Sequence, residues 1–439
     1  MSAGDDVWGE ETADGPPRPF FNSRWVERPA HVQELDPAGA GLPEGFRAAG
    51  AACGIKPSGN PDVGLLICDT EPPLASSAAR FTATGTPAAP VLLSRERCRL
   101  DALRGVLVNS GCAYAATGRR GLDDAAKTQG AAALALGLDP AAVVLASTGG
   151  ISHLLPVEKV LRGILDAQGR MRREGDTDFQ QAIQTTDAFE KRANLQVELP
   201  SGSVRLSAQC KGAGMISPNF ATMLCFVQTD AQLAPHTADL LLGVCVKRSF
   251  DRCSVDGQLS TNDTAILMAS GASGVHVAPE SEDELRFGEA LDALLRQLAI
   301  MMVADGEGAR RIARVVVRGG VDGTGAQHEA VETVARAVAN SPLVKTALHG
   351  ADPNWGRLIQ AVGGALPGTA PLAVDLTIEG LQVCSAGVAL DYDEGALQEA
   401  IQVREIEYEI ALPGDGAETE VFFSDLSHEY VRINAEYMT

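Results

Sequence analysis

The chain has 439 residues, enough for two or three domains or one large fold with two lobes, and at 45% hydrophobic residues it can bury a substantial core. Its 36 Lys and Arg against 57 Asp and Glu give a net charge of −21, a surface that repels nucleic acid and anionic lipid. No stretch reaches the roughly 18 apolar residues a membrane span needs, no charged-then-apolar leader opens the sequence, and the nine cysteines include no Cys-x-x-Cys pair, so a cytoplasmic location with reduced thiols is expected.

Residues 1–43 are rich in Asp, Glu, Pro and Gly and show no apolar period. They read as a partly mobile extension, with Trp8, Phe20, Phe21 and Trp25 available to pin it to the surface. From Gly45 the pattern becomes α/β. Val63–Cys68 and Gly105–Asn109 read as short buried strands, and Asp123–Leu138 as an Ala-rich helix stopped by Gly137 and Pro140. Val143–Ala146 is a further buried strand, expected to end in a sharp polar turn at Ser147-Thr148-Gly149-Gly150. A helix is expected from Glu158 to about Arg173. Strands follow at Val204–Cys210 and Thr222–Val227.

In the second half, Thr237–Phe250 reads as a helix. Ser281 opens another, with Glu284 completing a capping box and Phe287, Leu291, Leu294, Leu295 and Leu298 at helical spacing. His328–Asn340 is expected to be helical, and Asp352-Pro353 to start a helix running through Val362. Leu372–Ile378 and Arg404–Ala411 read as strands. In the second of these Ile406, Tyr408 and Ile410 alternate with three glutamates, so one face is wet.

The segment Lys211-Gly-Ala-Gly-Met-Ile-Ser-Pro-Asn-Phe-Ala-Thr-Met-Leu carries the most chemical information. A glycine-rich polar turn runs into an apolar strand, with the hydroxyl of Thr222 at the junction. If the Ala221-Thr222 bond breaks, Thr222 becomes N-terminal and its own α-amine can take the proton of its own hydroxyl. An α-amine with a pKa of roughly 7.7–8.0 suits a general base near neutral pH. The plainer reading is that Thr222 opens a strand for packing and β-propensity.

Other chemistries lack their signatures. There is no P-loop and no complete dinucleotide fingerprint around Gly271 or Gly306. The seven histidines show no metal-ligand spacing, and both His-Glu-x-x-His and Gly-x-Ser-x-Gly are missing. Neither a metalloenzyme nor a Ser-His-Asp hydrolase is expected.

Further segments occur in a fixed order: Asn109-Ser-Gly, Ser147-Thr-Gly, Thr185-Thr-Asp, Lys211-Gly-Ala-Gly-Met, Ala221-Thr-Met-Leu, Val255-Asp-Gly, Ser260-Thr-Asn-Asp-Thr, Asp305-Gly-Glu-Gly, Ser341-Pro-Leu-Val-Lys-Thr, Gly350-Ala-Asp-Pro-Asn-Trp-Gly-Arg and Asn434-Ala-Glu-Tyr. Through them the chain, over about residues 45–439, resembles the ornithine acetyltransferase (glutamate N-acetyltransferase) family of arginine biosynthesis. The resemblance implies an α/β fold with a layered α-β-β-α core and a smaller second lobe. It implies a precursor that cuts itself between Ala221 and Thr222, giving an α chain (44–221 after the extension 1–43) and a β chain (222–439), assembled as α2β2. Thr222 then carries an acetyl group from N2-acetylornithine to glutamate by a ping-pong route. No metal or bound cofactor is implied, though some members use acetyl-CoA as a co-substrate.

Residue by residue, Thr148 and Gly149 match the oxyanion hole, a hydroxyl and a backbone N–H suited to a tetrahedral intermediate. Without the family, Ser147–Gly150 is a plain strand-to-loop turn. Thr185, Lys211, Thr222, Glu307, Asn434 and the terminal Thr439 match substrate-binding positions. A lysine can hold a carboxylate and a glutamate between two glycines can receive an ammonium, but such residues are more commonly solvated, and a C-terminal residue is normally frayed. The chain departs from the family at Cys112 and Tyr114, where Asn is usual, at Thr82-Ala83-Thr84-Gly85, and at Ala188. These departures leave open another acyl group or amine acceptor, or water as acceptor in an amidohydrolase. An uncut, non-catalytic scaffold is the third alternative, and intact Lys211, Thr222 and Glu307 argue against it. Cys112 has no basic neighbour in sequence and is not expected to be a nucleophile.

Overall fold

The structure, a computed structural model, describes residues 19–217, 223–320 and 327–436. Ala221, Thr222 and Thr439 therefore lie outside the described residues, as do residues 1–18.

Two sheets stack face to face in the first lobe. One has six strands, in the order Val32–Glu34, Lys191–Leu199, Gly202–Lys211, Leu224–Thr229, Thr264–Ala269 and Ser76–Phe81. The other has four, in the order Phe46–Ala51, Val63–Cys68, Gly105–Cys112 and Val143–Gly150. Between them lies an apolar layer that includes Phe46, Leu66, Val106, Val144, Leu224, Phe226 and Ile266. Phe179 and Phe226 meet edge-on in it, with centroids 5.2 Å apart. The outer face of the four-stranded sheet is covered by the helices Gly118–Leu136 and Val157–Gln168. That of the six-stranded sheet is covered by Pro235–Arg248 and Glu282–Ala304. The result is the α-β-β-α layering expected. Strands buried on both faces read as unbroken apolar runs, which is why Val63–Cys68 is buried at every position.

The second lobe is a seven-stranded sheet that includes Ile312–Arg318, Glu405–Ala411 and Glu418–Ser424. Helices Gln327–Ala339, Pro342–His349 and Trp355–Ala365 pack over one face of it. Ile406, Tyr408 and Ile410 point into this core and the intervening glutamates stay half-exposed, as the alternation requires.

Several boundaries differ from expectation for identifiable reasons. Ser147–Gly150 is not a turn, because the strand Val143–Gly150 continues in parallel register with Gly105–Cys112 through the pairs Ser110–Thr148 and Gly111–Gly149. The ladder overrides the local turn signal. The Ala-rich helix begins five residues early, at Gly118, and ends at Gly137 in a left-handed conformation as expected. The helix after Val157 stops at Gln168. Pro353 precedes its helix, which begins at Trp355. Ser281 caps the helix Glu282–Ala304, its hydroxyl accepting from the Glu284 N–H at 3.2 Å.

Residues 19–43, the described part of the expected extension, pack on the body of the fold. Val32–Glu34 adds an antiparallel strand at one edge of the six-stranded sheet. Trp25 lies on Phe422, with ring centroids 5.6 Å apart, and Phe20 and Phe21 pack on the same core.

Candidate active site

The end of the strand Val143–Gly150 places Thr148 and Gly149 at the rim of a cleft of about 520 Å³. Gly149 is required there. Its φ is 124°, and an added Cβ would fall 2.4 Å from the Gly111 carbonyl carbon. The strand Gly202–Lys211 ends at the same cleft and delivers Lys211, whose side chain is 3% exposed. Its Nζ donates to Thr185 Oγ1 at 2.9 Å and to Thr148 Oγ1 at 3.2 Å. Residues separated by dozens of positions thus meet at one ammonium.

Asp187 supports this cluster from beneath. Its Oδ1 accepts from Gly212 N–H and from Lys191 Nζ, each at 2.8 Å, and its Oδ2 accepts from Thr185 N–H at 3.1 Å. Lys211 Nζ stands 3.9 Å from the same carboxylate. Burial works to raise the Asp187 pKa, but Lys191 and Lys211 prevail and hold it well below the usual carboxylate range. Lys191 also pairs with Asp305. Burial pushes the Asp305 carboxyl up to about 6, a rise that Asp187 reinforces and Lys191 opposes. Lys211 is shifted the other way: burial lowers its pKa and Asp187 partly restores it.

Asp305 leads into Gly306-Glu307-Gly308. Glu307 N–H donates to Ala213 O at 2.9 Å, and its carboxylate lies over Gly214, where an added Cβ would meet it at 2.8–2.9 Å. Asn434, on the helix His428–Glu436, donates to Glu307 Oε2 at 2.7 Å. Six expected site residues (Thr148, Gly149, Thr185, Lys211, Glu307 and Asn434) therefore line one cleft. The remaining three, Ala221, Thr222 and Thr439, lie outside the described residues.

Three acids that sequence reasoning assigned no role accept backbone N–H groups in and beside the segment Lys211–Met223 among the described residues. Asp256 accepts from Met215 N–H at 2.6 Å and Ile216 N–H at 3.0 Å, fixing the turn that leads toward the expected scission point. It also receives the Tyr430 hydroxyl at 3.4 Å. Asp263 accepts from the N–H of Met223, the residue after Thr222, at 3.2 Å. Its Oδ2 is buried without a hydrogen-bond partner among the described residues, and burial raises its pKa well above the ordinary carboxylate range. Asp187 is the third. Each sits in a quoted motif, but only burial reveals that it accepts backbone N–H groups. Among the described residues no group of three or more His, Cys, Asp or Glu side chains is placed to hold a metal ion.

Of the sequence departures, Cys112, Tyr114 and Ala188 are not among the described residues that line the cleft. Burial pushes the Cys112 thiol up, away from the reactive thiolate. Thr82 donates to the carbonyl of Ser260, a cleft residue, at 2.6 Å. No helix among the described residues is long and apolar enough to cross a membrane.

The chain is 42% identical over 404 residues to the arginine biosynthesis bifunctional protein ArgJ of Rhodopirellula baltica, covering 91% of this chain and 96% of that one. It is 40% identical over 397 residues to the protein of the same name from Nitratidesulfovibrio vulgaris, covering 90% and 98%. Among solved structures it is similar to ArgJ of Bacillus halodurans, at 31% identity and a TM-score of 0.45 over 48% of this chain and 98% of that chain. It is also similar to ornithine acetyltransferase of Mycobacterium tuberculosis complexed with ornithine, at 32% identity and a TM-score of 0.39 over 44% and 100%. The ArgJ family model matches residues 47–439, the span over which the ordered motifs are found, and the chain belongs to the ArgJ family.

Proposed function

We propose that this protein is a self-processing acetyltransferase of arginine biosynthesis that moves an acetyl group from N2-acetylornithine to glutamate through an acyl-Thr222 intermediate. The observation that carries the reading is the convergence of Thr148, Gly149, Thr185, Lys211, Glu307 and Asn434 on one cleft. Membership of the ArgJ family supports it. So do the names of the curated relatives from Rhodopirellula baltica and Nitratidesulfovibrio vulgaris, arginine biosynthesis bifunctional protein ArgJ.

Scission of the Ala221-Thr222 bond frees the α-amine of Thr222. That amine takes the proton of the Thr222 hydroxyl as the oxygen attacks the acetyl carbonyl. The Thr148 hydroxyl and the Gly149 N–H receive the oxyanion. The intermediate collapses to the acyl-threonine, and ornithine leaves with the proton. The amine of glutamate then attacks the ester, and the same steps run in reverse to release N-acetylglutamate. Glu307 receives a substrate ammonium, while Thr185, Asn434 and Thr439 fix the amino acid ends. Acetyl-CoA is a second acyl donor to the same oxygen, and no metal or bound cofactor takes part. The two halves of the chain stay together and pair as α2β2 in the cytoplasm.

Denaturing electrophoresis tests the scission step. Two fragments, residues 1–221 and 222–439, are expected from the natural chain, and one uncut chain without transfer activity from Thr222→Ala. A single full-length band from the active natural protein would overturn the reading. Ornithine release from N2-acetylornithine should depend on glutamate, and release at the same rate without it would make water the acceptor.

A further inference from the structure

A lysine that only grips a substrate carboxylate should aim its ammonium at open space in the cleft. Lys211 instead is 3% exposed, and two of its donors meet the hydroxyl oxygens of Thr148 and Thr185 at 3.2 and 2.9 Å. A threonine hydroxyl has one proton and two lone pairs. With an ammonium on its lone-pair side, the Thr148 oxygen has its own proton turned away from Lys211. No acceptor among the described residues takes that proton, and Thr148 lines the cleft.

We propose that Lys211 is a positioning residue that acts through Thr148, fixing its hydroxyl as a donor into the cleft, and that Asp187 keeps the ammonium in place. This rests on Thr148 being an oxyanion donor. A cation hydrogen-bonded to a hydroxyl polarises it, so the O–H becomes a stronger donor to developing negative charge. The preorganised dipole costs no rotation at the moment of reaction.

The surroundings fit that task. Asp187 has no exposed side-chain surface, so its charge acts at low dielectric on the ammonium 3.9 Å away. The same carboxylate takes the N–H groups of Thr185 and Gly212, fixing the backbone on two sides of the cluster. Burial lowers the Lys211 pKa and Lys191 lowers it further, while Asp187, Cys210 and Glu307 raise it. Asp305 faces the cluster through Lys191.

A double-mutant cycle on the full chain tests the proposal. Steady-state acetyl transfer from N2-acetylornithine to glutamate is measured for the natural protein, Thr148→Val, Lys211→Met and the double variant, with rates normalised to the cut fraction. Thr148→Val should lower kcat by about 10²–10³-fold, as loss of one oxyanion donor does. Lys211→Met should lower kcat at least tenfold, and the double variant should be no slower than Thr148→Val. Losses that multiply in the double variant would overturn the proposal, as would a Lys211→Met that raises KM and leaves kcat unchanged. A Thr148→Val with natural kcat would instead refute the oxyanion reading on which the proposal stands, and that arm alone separates the two failures. Asp187→Asn removes the anion that favours the charged lysine, so the alkaline limb of kcat should move to lower pH. A folded Asp187→Asn with an unmoved limb would contradict the anchoring role. If that variant does not fold, the Thr148–Lys211 cycle still decides.

Discussion

Asn434 donates to Glu307 at 2.7 Å and ties the helix His428–Glu436 to the Gly306-Glu307-Gly308 turn. The two residues are 127 positions apart, yet this contact fixes the orientation of the one carboxylate expected to receive a substrate ammonium. Replacing Asn434 by Leu frees that carboxylate. The KM for N2-acetylornithine should rise about three- to tenfold, matching the ~0.5–1.5 kcal/mol of a typical hydrogen bond. The melting temperature should hold, because Asn434 is exposed. Initial-rate kinetics beside a thermal melt check both.

Gly214 tests the same carboxylate from the other side. An added Cβ would fall 2.8 Å from Glu307 Cδ, inside contact distance, so Gly214→Ala should displace Glu307 while leaving the sheets intact. KM should rise with little change in far-ultraviolet circular dichroism. A KM equal to the natural value would mean that the Glu307 position does not matter to binding.

The buried acid Asp305 should make stability depend on pH. Its folded pKa of about 6 exceeds the ~3.9 of an unfolded aspartate. The folded state therefore binds the extra proton, and this contribution is complete below the unfolded pKa and is lost as pH rises through about 6. Urea unfolding from pH 4 to 7 should show that decline in the natural protein. In Asp305→Asn the absolute stability is lower, because Lys191 loses a partner, but this part of the slope should vanish. Asp187 runs opposite. Its depressed pKa adds stability above the unfolded value that is lost only in stronger acid.

Phe226 is fully buried between the two stacked sheets, edge-on to Phe179. Phe226→Ala should cost ~3–5 kcal/mol of unfolding free energy, the usual range for an emptied aromatic core position. Chemical denaturation measures it directly.

The sequence made the layered core legible where one physical rule dominated. Val63–Cys68 shows as an unbroken apolar run because both of its faces are covered, and the Ser281 cap shows because its hydroxyl satisfies a local N–H. Ser147–Gly150 misled because two glycines after two hydroxyl residues signal a turn, while a partner strand 38 positions earlier in register holds them extended, as the Gly111–Gly149 pair records. The cleft was legible only through the ordered family motifs. Spacing alone does not bring Thr148, Thr185 and Lys211 to one point, since long-range strand pairing does that. Asp187, Asp256 and Asp263 went unassigned because an acid that accepts buried N–H groups looks, in sequence, like any solvated one.

Thr222 is the residue proposed to carry the acyl group. The direct measurement is intact mass and peptide mapping of protein mixed with N2-acetylornithine and quenched in acid without glutamate. The expected result is a polypeptide beginning at Thr222 that is heavier by one acetyl group, with the label on that residue and absent from a parallel sample given glutamate before the quench. An unlabelled β chain, or an acetyl group found on any other side chain, would contradict it.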